Sequence, residues 1–456
     1  MAHWYKFYTD VFFIYFRLVM QHIKNDKKTI RSWAMFDWAN SAYNLVITST
    51  IFPAYYTIIT TTKEHGDKVS FFGHQFVNTA LSSYALSVAY LIMAILLPLL
   101  SSMADFRGNK KVFMKLFTYI GGLACAALYF FKLDTLELGI ICFAIAAMGY
   151  IGGVMFSNSY LPELATAEEQ DRVSAQGFAY GYVGSVLLQI ICFVFVLKPE
   201  LFGITDGSFP ARLSFLLTGL WWIGFAQIPF KNLPAGSPNH EKLNKKAIHS
   251  GYQELINVWR QLKGAKMLKR FLLAFFFYSV GVQTIMLVAA SFGEKVLHLG
   301  TPTLIATILI IQLVAIAGAY LMSALAKKVG NIRVLIFVVF IWIVVCGAAY
   351  FVSSENEFYI LAAVVGLIMG GIQSLSRSTY SKFLPENTPD TASFFSFYDV
   401  TEKVAIVIGL AAFAFIEERS NIRNSPLGLS IFFIIGLIML FAVLRTRPDV
   451  KKYEID

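Results

Sequence analysis

Apolar runs of 18 or more residues recur along nearly the whole chain, and no other feature limits its fold as strongly. A run of that length crosses the hydrocarbon core of a bilayer as a helix, at about 1.5 Å per residue. Inside lipid every backbone polar group must be satisfied by the protein, so only helices and closed barrels span it. Composition agrees. Of 456 residues, 57% are hydrophobic and 14% charged, with a mean hydropathy of +0.62; soluble domains carry roughly 25% charged residues. The chain therefore reads as an all-α polytopic membrane protein with no sizeable soluble domain left over. Cys125, Cys142, Cys192 and Cys346 all lie inside apolar runs without metal-ligand spacing and read as small buried hydrophobes.

Twelve transmembrane helices are predicted, over residues 36–60, 79–100, 112–131, 138–160, 175–197, 211–230, 270–291, 302–325, 334–352, 358–380, 394–416 and 426–445. The segments on one side are 1–35, 101–111, 161–174, 231–269, 326–333, 381–393 and the tail. They hold 27 of the 38 lysines and arginines, counting Arg270 beside the long loop and Arg445 at the start of the tail. The opposite loops with their flanks hold 8, namely Lys63, Lys68, Lys132, Lys198, Arg212, Lys295, Arg419 and Arg423. This asymmetry predicts that both termini and the 231–269 loop are cytoplasmic. The net charge of +10 is thus read as membrane orientation and not as nucleic-acid binding. The expected divisions are 1–35, a six-helix bundle over 36–230, a linker over 231–269, a second bundle over 270–446, and a tail over 447–456.

Two segments leave alternatives open. Val11–Phe16 is apolar but too short to span, and Arg17 follows it. Either residues 1–30 hold an interfacial helix, or the natural start is Met20 with a basic leader. In the linker, Ile248, Tyr252, Leu255, Ile256, Trp259 and Leu262 recur at helical spacing. They make either an amphipathic helix on the membrane surface or a solvated basic linker.

The chain repeats itself. SSMADFRGNKKV at 101–112 and SALAKKVGNIRV at 323–334 share Ser, Ala, Gly, Asn and Val at an offset of 222. GGVMFSNSYLPE at 152–163 and GGIQSLSRSTYSKFLPE at 370–386 share a Gly pair, serines, a Tyr and Leu-Pro-Glu, the last trio at an offset of 223. Two parallel six-helix halves are the architecture of duplicated secondary transporters.

The first span, WAMFDWANSAYNLVITSTIFPAYY at 33–56, carries Asp37, Asn40, Ser41, Asn44 and Thr48 at i, i+3, i+4, i+7 and i+11. On a helix they form one polar stripe. Such a stripe lines a water-filled cavity, or it binds helices together through interhelical hydrogen bonds.

ADFRGNKK resembles the helix 2–3 loop signature of the major facilitator superfamily, keeping Asp105, Gly108, Lys110 and Lys111. It departs at Ser101, where glycine is usual, and at Phe106, where a basic residue is usual. The first span and GGIQSLSRSTYSKFLPE are similar to blocks of the autophagy-related vacuolar amino-acid effluxer family and its bacterial relatives. The resemblance covers the chain from about residue 28. It implies the major facilitator fold, alternating access, and amino-acid efflux for the vacuolar branch. For a bacterial relative it implies the inner (plasma) membrane.

The eleventh span is centred near Ala405, which puts Asp399, Glu402 and Lys403 about 9, 4.5 and 3 Å from the midplane. Charge at that depth is a functional-site hypothesis by default; a structural ion pair is the alternative. Asp399 and Lys403 share a face as i, i+4, which leaves Glu402 to face the pathway as proton carrier. Asp37 is the next candidate for ion coupling. The candidate solute-binding residues are Asn40, Tyr43, Asn44, Thr48, Tyr160, Gln189, Gln283, Gln312, Gln373 and Arg377. All five midplane polar groups among them, Thr48 and the four glutamines, sit on spans that line the pathway in the implied fold. A single glutamine is more often an interhelical hydrogen bond than a ligand contact. Arg377 is expected either to bind an anionic group or to pair with Asp37 or the acids after the fourth span as a cytoplasmic gate. Asp105 and Arg107 are assigned to the gate as well. A carboxylate there is favoured by the N-terminal dipole of the eleventh span.

No nucleotide loop, metal cluster or catalytic constellation is present in the sequence, so neither an enzyme nor a cofactor is expected. The leading expectation is a monomeric, proton-coupled secondary transporter of a small polar solute. A lipid or lysolipid translocator, suggested by the 42 phenylalanines, and a non-transporting sensor of the same fold are the alternatives.

Overall fold

The computed structural model describes residues 24–62, 66–236, 245–385 and 388–446. The expectations for residues 1–19, the Met20 start and the 447–456 tail lie outside these residues. So do the side chains of Ile248 and Tyr252.

The first pass begins earlier than its hydropathy suggests. Asp26 caps it, accepting the Thr29 N–H at 2.8 Å and the Thr29 hydroxyl at 2.6 Å, so α1 (Lys27–Ala42) starts with a polar turn. A π-helical segment over Tyr43–Ile51 follows, then α2 (Phe52–Thr60). The connection to the next pass is not an irregular loop. Strands β1 (Lys68–Phe71) and β2 (His74–Val77) pair antiparallel. Phe72 and Gly73 both take positive φ at the two-residue turn, the twist a tight hairpin favours. This hairpin is the one sheet among the described residues of an otherwise all-α chain.

The remaining first-half helices are α3 (Asn78–Phe106), α4 (Lys110–Ala127), α5 (Leu136–Asn158), the short α6 (Leu161–Leu164), α7 (Gln170–Leu197) and α8 (Phe209–Asn232). The linker holds α9 (Lys245–Gly264). The second half follows with α10 (Lys266–Leu297), α11 (Thr301–Val329), α12 (Asn331–Phe351), α13 (Glu355–Lys382), α14 (Thr391–Arg419) and α15 (Asn424–Leu444).

Among the described residues, ten helices are long and apolar enough to cross a membrane. Two further passes run through the bundle. The π segment splits the first into pieces too short to qualify, and α14 is polar through Asp399, Glu402, Lys403 and the Glu417–Arg419 end.

Within each half, helices approach through small residues, as apolar solvent requires. A Cβ on Gly149 would sit 2.3 Å from the Gly121 Cα on α4, and one on Gly370 would sit 2.0 Å from the Ala315 carbonyl oxygen on α11. The halves meet along two seams related by the repeat, α3 against α14 and α7 against α11. Gly108 and Gly330, equivalent in the repeat, both take positive φ at +60° and +91°, the conformation glycine supplies without strain. Apolar side chains cover the outside. Phe337, Phe340 and Val344 on α12 are all about half exposed, as a lipid-facing surface demands.

The linker helix packs on the bundle. Val258 and Leu262 are buried, α9 lies against α3, and the Trp259 ring is 5.6 Å from Phe397 on α14. The linker is helical over α9, which sets Val258 and Leu262 against the bundle and leaves Trp259 about half exposed.

Candidate functional site

A cavity of about 220 Å³ lies between the halves, lined from α1, the π segment, α3, α5 and α7 on one side and α10, α11, α13 and α14 on the other. The first pass contributes Asp37, Ser41, Asn44, Leu45 and Ser49. A regular α-helix through the stripe would present Thr48 in place of Ser49. The π register, with i→i+5 bonding, adds a residue per turn here: the Ser49 hydroxyl donates to the Asn44 carbonyl at 2.9 Å, five residues back. Thr48 is thereby turned off the cavity. Asn40 and Tyr43 also sit behind the wall. Asn40 is buried near Gly153, and Tyr43 packs on Tyr150 and Trp222.

The four glutamines divide. Gln283, Gln312 and Gln373 line the cavity. Gln373 accepts the Tyr182 hydroxyl at 2.6 Å, a bond between the halves. Gln189 does not line it; its Oε1 accepts the Thr50 hydroxyl at 2.9 Å, the interhelical bond that a lone membrane glutamine usually makes. Tyr160 also lies away from the cavity, at the end of α5, where its hydroxyl donates to the Pro234 carbonyl at 3.1 Å.

Asp399, Glu402 and Lys403 face the cavity together from α14. Lys403 Nζ is 2.7 Å from Glu402 Oε2 and 3.6 Å from Asp399 Oδ1. Gln283 on α10 donates to Glu402 Oε1 at 2.8 Å. The expectation that Lys403 pairs with Asp399 and leaves Glu402 free is corrected. The long lysine stem folds back far enough to bridge both acids, so the 100° between adjacent residues on a helix does not separate them.

Below the cavity the two halves are bonded together at the end that carries residues 107–109, 159–169, 383–385 and 388–390. Arg377 of α13 is the hub, and its side chain is 3% exposed. Its Nε donates to Ser174 Oγ at 2.9 Å and its Nη2 to the Ser174 carbonyl at 2.8 Å. Its Nη1 reaches Asn158 Oδ1 at 2.9 Å and Asp37 Oδ2 at 3.2 Å. Every one of these partners belongs to the first half. The guanidinium also lies 4.2 Å from the Phe178 ring centroid and 4.8 Å from that of Trp33, a geometry suited to cation–π attraction. Of the two expected roles, the pairing with Asp37 is the one the geometry carries. With four hydrogen bonds made inside the protein, a guanidinium of five N–H donors has little left for a solute anion.

A second layer surrounds the hub. Asp105 accepts the backbone N–H groups of Ala392 at 3.2 Å and Ser393 at 2.6 Å, capping the open N-terminus of α14. Lys110 Nζ bonds the Ser159 carbonyl at 2.9 Å, Thr391 Oγ1 at 3.0 Å and Glu163 at 2.5 Å. The Thr391 hydroxyl donates to Glu163 at 3.0 Å. On the other seam Asp171 accepts from Asn331 Nδ2 at 2.6 Å and from Lys382. Lys327, the repeat equivalent of Asp105, lies 3.9 Å from Glu169 at the start of α7. Arg107 occupies the turn that closes α3, its N–H on the Met103 carbonyl at 3.1 Å.

Sequence reasoning missed Asn158, Ser174, Lys110, Thr391, Asn331 and Lys382 as members of these layers, and named Asp171 only among the acids after the fourth span. Asn331 was legible as a repeat residue, and Lys110 as part of the loop signature. The polar residues of α7 give no signal until α13 is placed against them.

Gly177 holds this arrangement open. A Cβ there would meet Asp37 Oδ2 at 2.5 Å, Arg377 Nη2 at 2.8 Å and Trp33 at 3.0 Å. Overpacking of that kind costs about 1–3 kcal/mol. Gly177→Ala is expected to break the ion pair while the chain still inserts. A thiol reagent applied from this end should then reach a cysteine placed at Gln373 faster than in the parent; unchanged labelling would show that the pair tolerates the methyl.

Two six-helix halves, sealed at one end over a polar cavity, define a transporter of the major facilitator type. The chain superposes on the crystal structure of FucP, a major facilitator superfamily transporter in the outward conformation, with a TM-score of 0.66, 14% identity, and 92% and 99% of the two chains covered. It superposes similarly on the proton:xylose symporter XylE, at 0.67 and 12% identity, over 91% and 95%. Residues 25–452 match the "Vacuole effluxer Atg22 like" family, and the chain belongs to that family. An uncharacterized MFS-type transporter, YxiO of Bacillus subtilis, is 30% identical over 95% of this chain and 99% of its own length. Autophagy-related protein 22 of Cryptococcus neoformans is 28% identical over 62% of this chain and 54% of its own.

Proposed function

We propose that this transporter moves a small polar solute by alternating access, coupled to protons through Glu402, with Asp399 and Asp37 as supporting acids. The observation that carries the reading is Arg377, a buried cation of one half whose bonds all run to the other half, beneath a polar cavity. Separation of the halves at that end exposes the guanidinium and Asp37 together, so the pair acts as a gate that closes without leaving a lone charge. Asp105, Lys110 and Asp171 reinforce it. The family's description as a vacuole effluxer favours export, and amino acids are solutes of suitable size and polarity.

Flux in proteoliposomes, with and without a pH gradient, tests the reading. Gradient-dependent movement of a polar solute is expected. Flux of lysolipid alone would favour the lipid translocator, and binding without flux would favour a sensor.

The gated end is proposed to be cytoplasmic, from the basic asymmetry. Cysteines placed in the 231–269 linker should resist an impermeant reagent added to intact cells and react after permeabilisation. Labelling in intact cells would invert the topology.

A further inference from the structure

The charges that line the cavity do not balance. Asp37, Asp399 and Glu402 are the acids lining it, and Arg377 and Lys403 the bases. Arg377 is committed to Asp37 and the first half. Lys403 is shared between two carboxylates at 2.7 and 3.6 Å. With both α14 carboxylates ionised, one negative charge is left over on α14, in a cavity sealed at the Arg377 end. Asp399 Oδ2 is buried and accepts no hydrogen bond from the described residues. An unmatched acceptor of this kind calls for a donor.

The neighbouring walls suit a cation as well. Tyr90, Tyr150, Tyr278 and Tyr398 line the same cavity. Aromatic faces attract ammonium groups by about 0.5–2 kcal/mol, more as the site is drier. Conversely, neither base is free to hold a carboxylate. An anionic solute would add a second negative charge to the first, which low-dielectric surroundings penalise. A cation brings the count to zero.

We propose that the cavity recognises a small organic ammonium ion, seated between the Asp399–Glu402 pair and the tyrosine faces, and that a carboxylate on the solute is not required. The proposal deepens the transport reading by naming the chemical class moved, and rests on it only for the movement. Binding can be tested without flux.

The purified full-length protein is titrated in detergent at constant neutral pH with methylamine, butylamine and phenethylamine. Phenylpropionate, phenethyl alcohol and phenylalanine serve as matched anion, neutral and zwitterion. At least one amine is expected to bind tenfold or more tighter than phenylpropionate and phenethyl alcohol, and at least as tightly as phenylalanine. Glu402→Gln and Asp399→Asn should each weaken that amine about tenfold, as loss of a partly buried charge partner does. Circular dichroism and monodisperse elution would show both variants folded. The proposal is overturned if no amine binds, if phenylpropionate binds as well, if phenylalanine binds and no amine does, or if both folded variants keep the parent's amine affinity. The two readings fail separately. Amine binding with no flux in liposomes would remove transport and keep the recognition, and flux of an anion would do the reverse.

Discussion

Replacement of Arg377 by alanine is expected to abolish net solute flux in proteoliposomes while the chain still inserts. The variant removes four hydrogen bonds between the halves at once and leaves the Asp37 carboxylate buried without its cation. Breaking one side of a buried pair costs about 3–5 kcal/mol, enough to shift a two-state balance by two orders of magnitude or more. The closed end should then be disfavoured in every step that needs it. Arg377→Lys should rescue little. A lysine keeps the charge, but it cannot reach Ser174, Asn158 and Asp37 together with one ammonium, nor lie flat between Phe178 and Trp33. Parent-like flux in both variants would reduce Arg377 to a packing residue.

Glu402→Gln is expected to abolish accumulation driven by a pH gradient while solute exchange across the membrane continues. Glutamine keeps the shape of the side chain and an oxygen to accept from Gln283, now at 2.8 Å. It carries no proton that can be exchanged and offers Lys403 no charge. Lys403 then falls to Asp399, whose Oδ1 is already 3.6 Å away, so the cluster retains one ion pair and the helix its packing. Counterflow of labelled solute with no gradient separates the two functions. Full gradient-driven transport in the variant would move the proton to Asp399 or Asp37, or replace the proton by another coupling ion.

Much of this was readable from the chain alone, because membrane proteins obey a simple solvent rule. Ten of the passes are long apolar helices, and the repeat at an offset of 222 to 223 marks two halves before any coordinate is known. Asp105 was readable too, since a carboxylate beside a helix start has an electrostatic reason to be there. Its placement on the N–H groups of Ala392 and Ser393 follows that reason. What failed depended on local geometry that hydropathy does not encode. A stripe drawn with 3.6 residues per turn predicts Thr48. The π turn over Tyr43–Ile51 delivers Ser49 instead. Adjacent side chains were taken to diverge, yet the four-carbon stem of Lys403 reaches both neighbours. The hairpin at 68–77 escaped because a ten-residue stretch between two spans looks like any loop until its two positive-φ turn residues are seen.

The burial of the proposed gate has a consequence for the solution around it. Ionic strength weakens interactions between exposed charges and hardly touches those shielded from solvent. Of the bridges that join the halves, Arg377–Asp37 and Lys382–Asp171 are largely enclosed, while Lys327–Glu169, at 3.9 Å with the lysine 73% exposed, is open to electrolyte. Dissolved salt on that side should therefore leave the balance between closed and open nearly unchanged from dilute buffer to molar potassium chloride.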